Sequence, residues 1–294
     1  MSAKEATVIV PTTGDRGALL PYSVGSIQKQ TLQDIEIFII GDGVTDETRE
    51  IINKLEKEDS RITFFDHPKH ERRGEPYRHQ ALQQAKGRMI CYLCDRDLML
   101  PYHLETMKGL LMDYNFASTT YIDVRADQSL NIDQYIGYYG PASETKQGQF
   151  KAGISLSNTG HTLELYHKLP YGWRTTPKDK FTDIYMWIQF HSHPECNAYS
   201  HTEPTIMYFK RGHFPGASVA EREKELAHWA PVITSQKNIE HIKDKAFRGL
   251  LTERHLFKVF KRQIRKTNIV IRGYRISEVH SKIFQKAARL LKKL

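Results

Sequence analysis

Short apolar runs alternate with amphipathic stretches through the first hundred residues of the chain. The runs end in polar or glycine-rich turns, as strands do, and the stretches between them carry apolar residues at helical spacing. Strands are predicted over residues 6–11, 34–40, 62–65 and 88–93, and helices over residues 18–30, 45–58 and 76–86. This alternation predicts an α/β fold with a mostly parallel sheet flanked by helices.

The pattern after residue 115 is mixed. It predicts two strands and one aromatic helix, over residues 116–123, 205–209 and 181–190. Ser218 and Glu221 then form a capping-box pattern, which predicts the start of a helix. Helical signals continue to the end of the chain. We therefore predict an α/β domain over residues 1–217 and a helical, basic region over residues 218–294.

The positive charge of the chain is concentrated at its C-terminal end. The whole chain holds 43 Lys and Arg against 34 Asp and Glu, a net charge of +9. Residues 251–294 hold 13 basic and 2 acidic residues, a net of +11, so the preceding part is nearly neutral at −2.

The last residues, Ile276–Leu294, show apolar positions at helical spacing with basic residues between them, which predicts a terminal amphipathic helix. Such a helix either lies on an anionic membrane surface or packs on the domain with its basic face in solvent. Nucleic-acid binding also suits the charge, but no recognised nucleic-acid module accompanies it.

Composition and cysteine content narrow the class of protein. The content of 39% hydrophobic and 26% charged residues is typical of a soluble globular protein. No run approaches the roughly 18 apolar residues of a membrane span, and residues 1–6 lack the apolar core of a secretory signal. We expect a cytoplasmic protein, free or peripheral at the inner face of the membrane. Cys91 and Cys94 lie three apart on a predicted strand, which favours buried thiols over a zinc or redox pair.

Two carboxylates, Asp95 and Asp97, follow the fourth predicted strand. Ligands of parallel α/β sheets bind beyond the carboxyl ends of the strands, where Thr12 and Asp42 also fall. Such a carboxylate pair can hold Mg²⁺ together with water and substrate phosphates, and the cation would neutralise a diphosphate leaving group. The same pattern is also typical of solvated loop acids or helix caps. Residues 98–101, which come next, are predicted to begin a helix.

Five motifs in chain order resemble those of the family 2 glycosyltransferases. They are Val8–Thr12, Ser26–Thr31, Ile40–Asp46, Arg78–Leu82 followed by Ala85–Gly87, and Asp95–Pro101. The resemblance covers residues 6–112 well and residues 113–210 loosely. It implies the Rossmann-like GT-A fold and an inverting sugar transfer. The donor would be a nucleotide-sugar, UDP-linked by preference, and the acceptor a glycan or a lipid-linked molecule.

The resemblance also implies roles for residues that match the motifs. Pro11 and Thr12 would line the nucleotide pocket, and Asp42 would accept a hydrogen bond from the base. Asp95 would contact the ribose or the metal. Asp97 would be the principal protein ligand of Mn²⁺ or Mg²⁺.

Two further residues are candidates on the same grounds. Asp183, in the first turn of the predicted helix over 181–190, would be the general base that deprotonates the acceptor hydroxyl. Its alternative role is that of a helix-capping acid. Arg73 would contact the nucleotide or diphosphate, or else is a solvated loop arginine. A downstream histidine could complete a metal site, and four candidates remain open: His191, His193, His201 and His213.

Gly41 and His79 depart from the family pattern, where an acid and an asparagine are usual. These departures favour an alternative, a non-catalytic GT-A-like binding or scaffold protein attached to a membrane or partner by its basic tail. A second alternative is a nucleotidyltransferase, which normally has a glycine-rich basic loop after the first strand. Residues 11–17 match such a loop only weakly.

Overall fold

The computed structural model describes residues 4–132, 154–210, 212 and 214–266, together with the short segments 270–271 and 274–275. The amphipathic helix expected over residues 276–294 lies outside these described residues, and so does His213. The chain divides into two compact units, Met1–Ala246 and Phe247–Leu294.

A nine-stranded mixed sheet forms the centre of the larger unit. Its strands are β1 (Lys4–Gly14), β2 (Ile35–Val44), β3 (Ile62–His67), β4 (Gly87–Tyr92), β5 (Leu98–Met99), β6 (Phe116–Val124), β7 (Leu130–Ile132), β8 (Thr159–Thr162) and β9 (Ala198–Tyr208). Their spatial order is β3-β2-β1-β4-β8-β6-β9-β5, with β7 beside β6. The strands β1 to β4 are parallel, as are β6 and β9, whereas β8 runs antiparallel to both of its neighbours.

The sheet is flanked by helices, which confirms the α/β fold. The helices are α1 (Leu20–Gln28), α2 (Asp46–Glu58), α3 (Glu75–Leu82), α4 (His103–Asp113), α5 (Leu163–His167), α6 (Thr182–Ser192), α7 (Val219–Val232) and α8 (Gln236–Lys266). A 3₁₀ turn, Arg16–Leu19, precedes α1. The capping box of Ser218 and Glu221 begins α7 as its sequence predicts, since each side chain accepts from the other's backbone N–H.

Strand β2 has apolar side chains on both sides, and a hydrophobic cluster packs against each face of the sheet. Ile35, Ile37 and Ile39 belong to one buried cluster, and Phe38 and Ile40 belong to the second. Successive side chains of a strand point to opposite faces, so a run without polar residues supplies two cores at once.

A third cluster joins the last strands to the C-terminal helices of the larger unit. Leu98 and Phe209 pack with Leu226 and Trp229 of α7 and with Ala246 of α8. These side chains are all buried. The hydrophobic core of the larger unit therefore extends well past residue 217.

Residues 98–101 differ from their sequence prediction. Leu98 and Met99 form the short strand β5, paired with Met207 and Ile206 of β9, and α4 begins only at His103. Both side chains are completely buried. Pairing at the sheet edge satisfies their backbone groups, and the apolar sequence does not distinguish this from a buried helical turn.

The described part of the smaller unit comprises the C-terminal half of α8 and a two-stranded hairpin. The hairpin strands, β10 (Val270–Ile271) and β11 (Tyr274–Arg275), pair antiparallel. Among the residues described, no helix is both long and apolar enough to cross a bilayer.

Candidate active site

A cavity of about 300 Å³ opens at the carboxyl ends of β1, β2 and β4. Parallel strands end at the same edge of a sheet, so residues distant in sequence meet there. Six residues selected from the sequence line this cavity: Pro11, Thr12, Asp42, Arg73, Asp95 and Asp183. The seventh, Asp97, is fully buried and does not line it.

Asp95 is held by a cation and a hydroxyl. Arg16 Nη1 lies 2.8 and 2.9 Å from the two carboxylate oxygens, and Thr12 Oγ1 donates a hydrogen bond of 3.1 Å to Oδ2. The Asp95 side chain is nearly buried, so this ion pair is well shielded from water. Its orientation toward the cavity is therefore fixed before any ligand binds.

Asp97 is bound by neutral donors. Ser157 Oγ donates to Oδ2 over 2.5 Å, and the backbone N–H of Phe209 donates to Oδ1 over 3.1 Å. Burial raises the pKa of this carboxyl to about 6, although the nearby Arg96 guanidinium opposes the change. The buried negative charge is only partly compensated by the protein.

Carboxylate oxygens are ligands that a hard divalent cation takes, although Asp97 itself does not line the cavity. Asp95 faces the cavity, and a cation shared with Asp97 would compensate the charge that burial destabilises. Among the described side chains, no three His, Cys, Asp or Glu converge to hold a metal by themselves. Water and substrate phosphates would have to supply the remaining ligands.

The candidate histidines within the described residues lie away from this cavity. His191 is buried, with its ring at the edge of the Phe116 ring, 4.8 Å between centroids. His193 and His201 do not line the cavity either.

Asp42 lies near the carboxyl end of β2 and lines the cavity. Its carboxylate accepts a hydrogen bond from Lys69 Nζ and one of 2.6 Å from the backbone N–H of His70. At the neighbouring position, a Cβ on Gly41 would lie 3.0 Å from the Phe64 ring. Phe64 therefore fills the space that the missing acid of the family pattern would need.

Arg78 is a buried cation in the wall of the cavity. It is 5% exposed, and its guanidinium lies 4.8 Å from the centroid of the Trp173 ring. Nη2 donates to the carbonyl of Arg73 over 2.9 Å, but Nε and Nη1 have no hydrogen-bond partner within the described chain. Buried donors of this kind are costly, so the position is suited to binding an anion.

Asp183 lies in the first turn of α6 and faces this basic wall. Burial raises the pKa of its carboxyl, and the positive charges of Arg78, Arg73 and Arg96 partly offset that rise. A carboxylate with a raised pKa is a stronger base, which suits proton abstraction at near-neutral pH.

Three other polar residues, one of them His79 of the fourth motif, make hydrogen bonds within the core. His79 Nδ1 and Tyr166 Oη are hydrogen bonded over 2.7 Å, and His161 Nε2 and the Tyr92 hydroxyl over 2.8 Å. The Asn158 amide donates to a backbone carbonyl of β6. None of the three lines the cavity.

Sequence reasoning missed four residues of the site: Arg16, Lys69, Arg78 and Ser157. Arg78 stands in the fourth motif, so the motif gave its position but no role. Arg16 carries the weaker signal of a lone basic residue in the loop after the first strand. No sequence signal pointed to Ser157, because its contact with Asp97 spans 60 positions.

The sheet, the strand-end carboxylates and the basic wall define an α/β protein with a candidate anion-binding site at the strand ends. The model of the family described as Glycosyl transferase family 2 matches residues 7–171. The chain belongs to this family, and its α/β fold is that of its structural neighbours.

Individual relatives match only part of the chain. A GalNAc(5)-diNAcBac-PP-undecaprenol beta-1,3-glucosyltransferase of Campylobacter jejuni is 34% identical over 101 residues, which are 34% of this chain and 32% of that relative. An uncharacterized glycosyltransferase of Rickettsia bellii is 29% identical over 125 residues, which are 40% of this chain and 18% of the relative. The matches thus span about a third or less of these relatives' lengths.

Solved structures share the fold at low sequence identity. S. aureus TarS 1-349, in complex with UDP-GlcNAc, superposes with a TM-score of 0.57 at 15% identity. The match covers 78% of this chain and 66% of that one.

Proposed function

We propose that this enzyme transfers a sugar, with inversion, from a nucleotide-sugar donor to a hydroxyl of a glycan or lipid-linked acceptor. The observation that carries the proposal is the cavity in which Asp183 faces Arg73 and Arg78. Guanidinium groups bind a diphosphate, and a carboxylate opposite them accepts a proton. The relative from Campylobacter jejuni, named for a diphosphate-undecaprenol-linked acceptor, supports the lipid-linked class.

The nucleotide half of the donor would bind at the ends of β1 and β2. Pro11 and Thr12 line that part of the cavity, and Asp42 lies near the end of the neighbouring strand. Asp42 would read the base, which we take to be uracil, and Asp95 would contact the ribose or the metal. Lys69 Nζ donates to the Asp42 carboxylate and orients it for that contact.

The diphosphate would bind against the basic wall. Two nitrogens of Arg78, Nε and Nη1, have no hydrogen-bond partner within the described structure, and Arg73 lies beside it. A charge-assisted pair between these groups and phosphate oxygens would replace the missing hydrogen bonds. Asp95 and Asp97 would hold Mn²⁺ or Mg²⁺, which supplies Lewis-acid stabilisation of the leaving diphosphate.

The chemical step needs one base and one leaving group. The acceptor hydroxyl oxygen would form a bond to the anomeric carbon while Asp183 takes its proton. The bond between that carbon and the diphosphate oxygen breaks, and its electron pair stays on the diphosphate. Arg73 and Arg78 would stabilise the negative charge that develops there. Attack opposite the leaving group inverts the anomeric centre.

The test measures UDP release from a panel of UDP-sugars with Mn²⁺, with and without EDTA. Asp183→Asn should lower kcat by about 10²–10⁴-fold with little change in KM, since it removes a general base. The matched control is Asp179→Asn, an exposed acid four positions earlier, which should keep wild-type rates. An unchanged kcat for Asp183→Asn would show that Asp183 is not the general base. Donor binding without any turnover by the wild-type chain would favour the scaffold alternative.

A further inference from the structure

The C-terminal half of α8 exposes large apolar side chains to solvent. Leu256, Phe257 and Phe260 are 61%, 62% and 59% exposed, and Phe247 and Leu251 are about half exposed. Soluble monomers expose single apolar residues freely, but a continuous group of aromatic and aliphatic side chains marks an interaction surface.

Helix geometry separates Leu256, Phe257 and Phe260 from the basic side chains, whereas Phe247 and Leu251 fall on the basic side and Glu253 on the apolar side. Successive residues are rotated by about 100°, so Leu256, Phe257 and Phe260 lie within an arc of about 100°. Arg254, Lys258, Lys261 and Arg262 fall on the flank and the opposite side, within a second arc of similar width. We call these seven residues the α8 amphipathic face.

The net charge around the α8 amphipathic face indicates which kind of partner it would bind. Residues 247–263 contain five basic residues and one acidic residue. Arg254, Lys258, Lys261 and Arg262 are all exposed. A second copy of the chain would bring two positive faces together, whereas an anionic surface matches their sign. Long basic side chains at the flank can also reach phosphates while their methylene stems stay with apolar groups.

We propose that the α8 amphipathic face docks on the surface of an anionic phospholipid bilayer. The apolar side chains would enter the boundary between headgroups and acyl chains, and the basic side chains would bind lipid phosphates. This inference stands apart from the proposed reaction, although a lipid-linked acceptor would be found on the same surface. It is also distinct from the tail helix expected over residues 276–294.

The experiment sediments the full chain with vesicles. One set is phosphatidylcholine alone, and in the other about a third of the lipid is phosphatidylglycerol, which adds negative surface charge. We expect binding to the anionic vesicles to be at least about tenfold tighter and to weaken as salt is raised. Equal binding to both sets, or no binding, would overturn the proposal.

Two triple variants test the two halves of the face. They are Leu256→Ser/Phe257→Ser/Phe260→Ser and Lys258→Gln/Lys261→Gln/Arg262→Gln. Each variant should weaken binding to anionic vesicles by about tenfold or more. Each basic side chain near the lipid phosphates and each apolar side chain that enters the bilayer contributes to the binding free energy. The helix content of each variant is checked by circular dichroism.

Matched controls lie on other exposed helices of the chain. Lys54→Gln/Lys57→Gln removes charge from α2, and Met112→Ser removes an apolar group that is 79% exposed on α4. Both controls should bind vesicles like the wild-type chain. If they weaken binding as much as the triple variants do, the effect is not specific to α8.

Two other results would contradict the proposal. One is binding carried wholly by the tail, so that only neutralising Lys282, Lys286 and Arg289 abolishes it. The other is a dimer in solution that the apolar triple variant dissociates, with no vesicle binding. UDP release in solution should be unchanged in both triple variants. If the chain binds vesicles but never releases UDP, the proposed reaction is wrong and the membrane proposal is unaffected.

Discussion

Asp97 and Arg78 are buried charged groups that folding alone does not favour. Asp97 has two neutral donors for its carboxylate, and Arg78 has two nitrogens without a hydrogen-bond partner in the described chain. Burial of incompletely compensated charge opposes folding. Arg78 lines the cavity, and Asp97 is the sequence neighbour but one of Asp95, which also lines it. A ligand that supplies the missing hydrogen bonds or charge would therefore recover the free energy lost on burial.

The substitution Asp97→Asn should stabilise the protein at neutral pH. Asn can still accept from the Phe209 N–H and donate to Ser157, and it removes a buried charge. The pKa of Asp97 is raised from 3.8 to about 6, so the gain at pH 7.5 is about 1–3 kcal/mol in the free energy of unfolding. Chemical denaturation measures it.

The direction of the pKa shift determines how this gain in the free energy of unfolding changes with pH. A carboxyl with a raised folded-state pKa favours the folded state below its unfolded pKa, and this contribution is lost as pH rises through about 6. The variant and wild type should therefore differ least near pH 4, diverge as the pH rises from about 4 to about 6, and keep a constant difference above that. An exposed control, Asp179→Asn, should show no such gain. Lower stability of Asp97→Asn at pH 7.5 would show that the charge is compensated.

Arg78 should control the pH profile of catalysis. Its positive charge is the largest influence that lowers the pKa of Asp183 against the effect of burial. In Arg78→Gln the acid limb of the kcat profile should therefore move to higher pH, because Asp183 would accept a proton more readily. Arg88→Gln, at an exposed position of β4, is the control. An acid limb that stays in place in Arg78→Gln would show that Arg78 does not control the pKa of Asp183.

At the residue scale, the sequence located the acids of the site better than their partners. Asp42 and Asp95 were found because they directly follow apolar strands, and Asp183 because it starts an aromatic helix. Arg16 and Ser157 lie in turns, where no periodic pattern marks a contact. Their contacts with Asp95 and Asp97 bridge 79 and 60 positions, so only the fold brings them together.

At the element scale, the long parallel strands and their helices were predictable. β2 carries the apolar run Ile37–Ile40, and α2 has Thr45 as its N-cap, which accepts from the Thr48 N–H. β5 and β8 were missed because they are two and four residues long. Strands of that length depend on neighbours distant in sequence more than on their own pattern.

Gly87 allows β4 to lie against β1. A Cβ at this position would lie 2.2 Å from the Thr7 backbone nitrogen and 2.5 Å from the Ala6 carbonyl carbon. Gly87→Ala should therefore destabilise the protein by about 3 kcal/mol or more, since the obstacle is backbone. A thermal melt or the soluble yield measures the loss.

Gly109 in α4 is the matched control, because a Cβ there meets nothing within 4 Å. Gly109→Ala should raise stability by about 0.5–1 kcal/mol, as expected for a glycine inside a helix. Equal behaviour of the two variants would rule out the close approach at Gly87 as the cause.

At the scale of the whole molecule, the site depends on almost the entire larger unit. It gathers Thr12 from the first strand and Tyr208 from the last. α7 and the start of α8 pack on the strand end beside Tyr208. The sequence could not show this packing, because a composition change near residue 217 resembles a domain border whether or not the core continues across it.

Two shortened chains test where the folded enzyme ends. A chain ending at residue 250 keeps the third buried cluster and should unfold cooperatively, with a Tm within about 5 °C of the full chain. It should also retain UDP release. A chain ending at residue 217, the boundary expected from sequence, loses Leu226, Trp229 and Ala246 from that cluster and should be insoluble. A soluble and active chain of 217 residues would instead establish the earlier boundary.

The unfilled N–H groups of Arg78 make the melting temperature of the protein a readout of its ligands. A molecule that binds the folded state and not the unfolded state stabilises it by about 2.7 kcal/mol at one hundred times its dissociation constant. Pyrophosphate, nucleotides and nucleotide-sugars can thus be ranked by thermal shift before any acceptor is known. Arg78→Gln should flatten that ranking for every diphosphate, so the donor could be identified by heating alone.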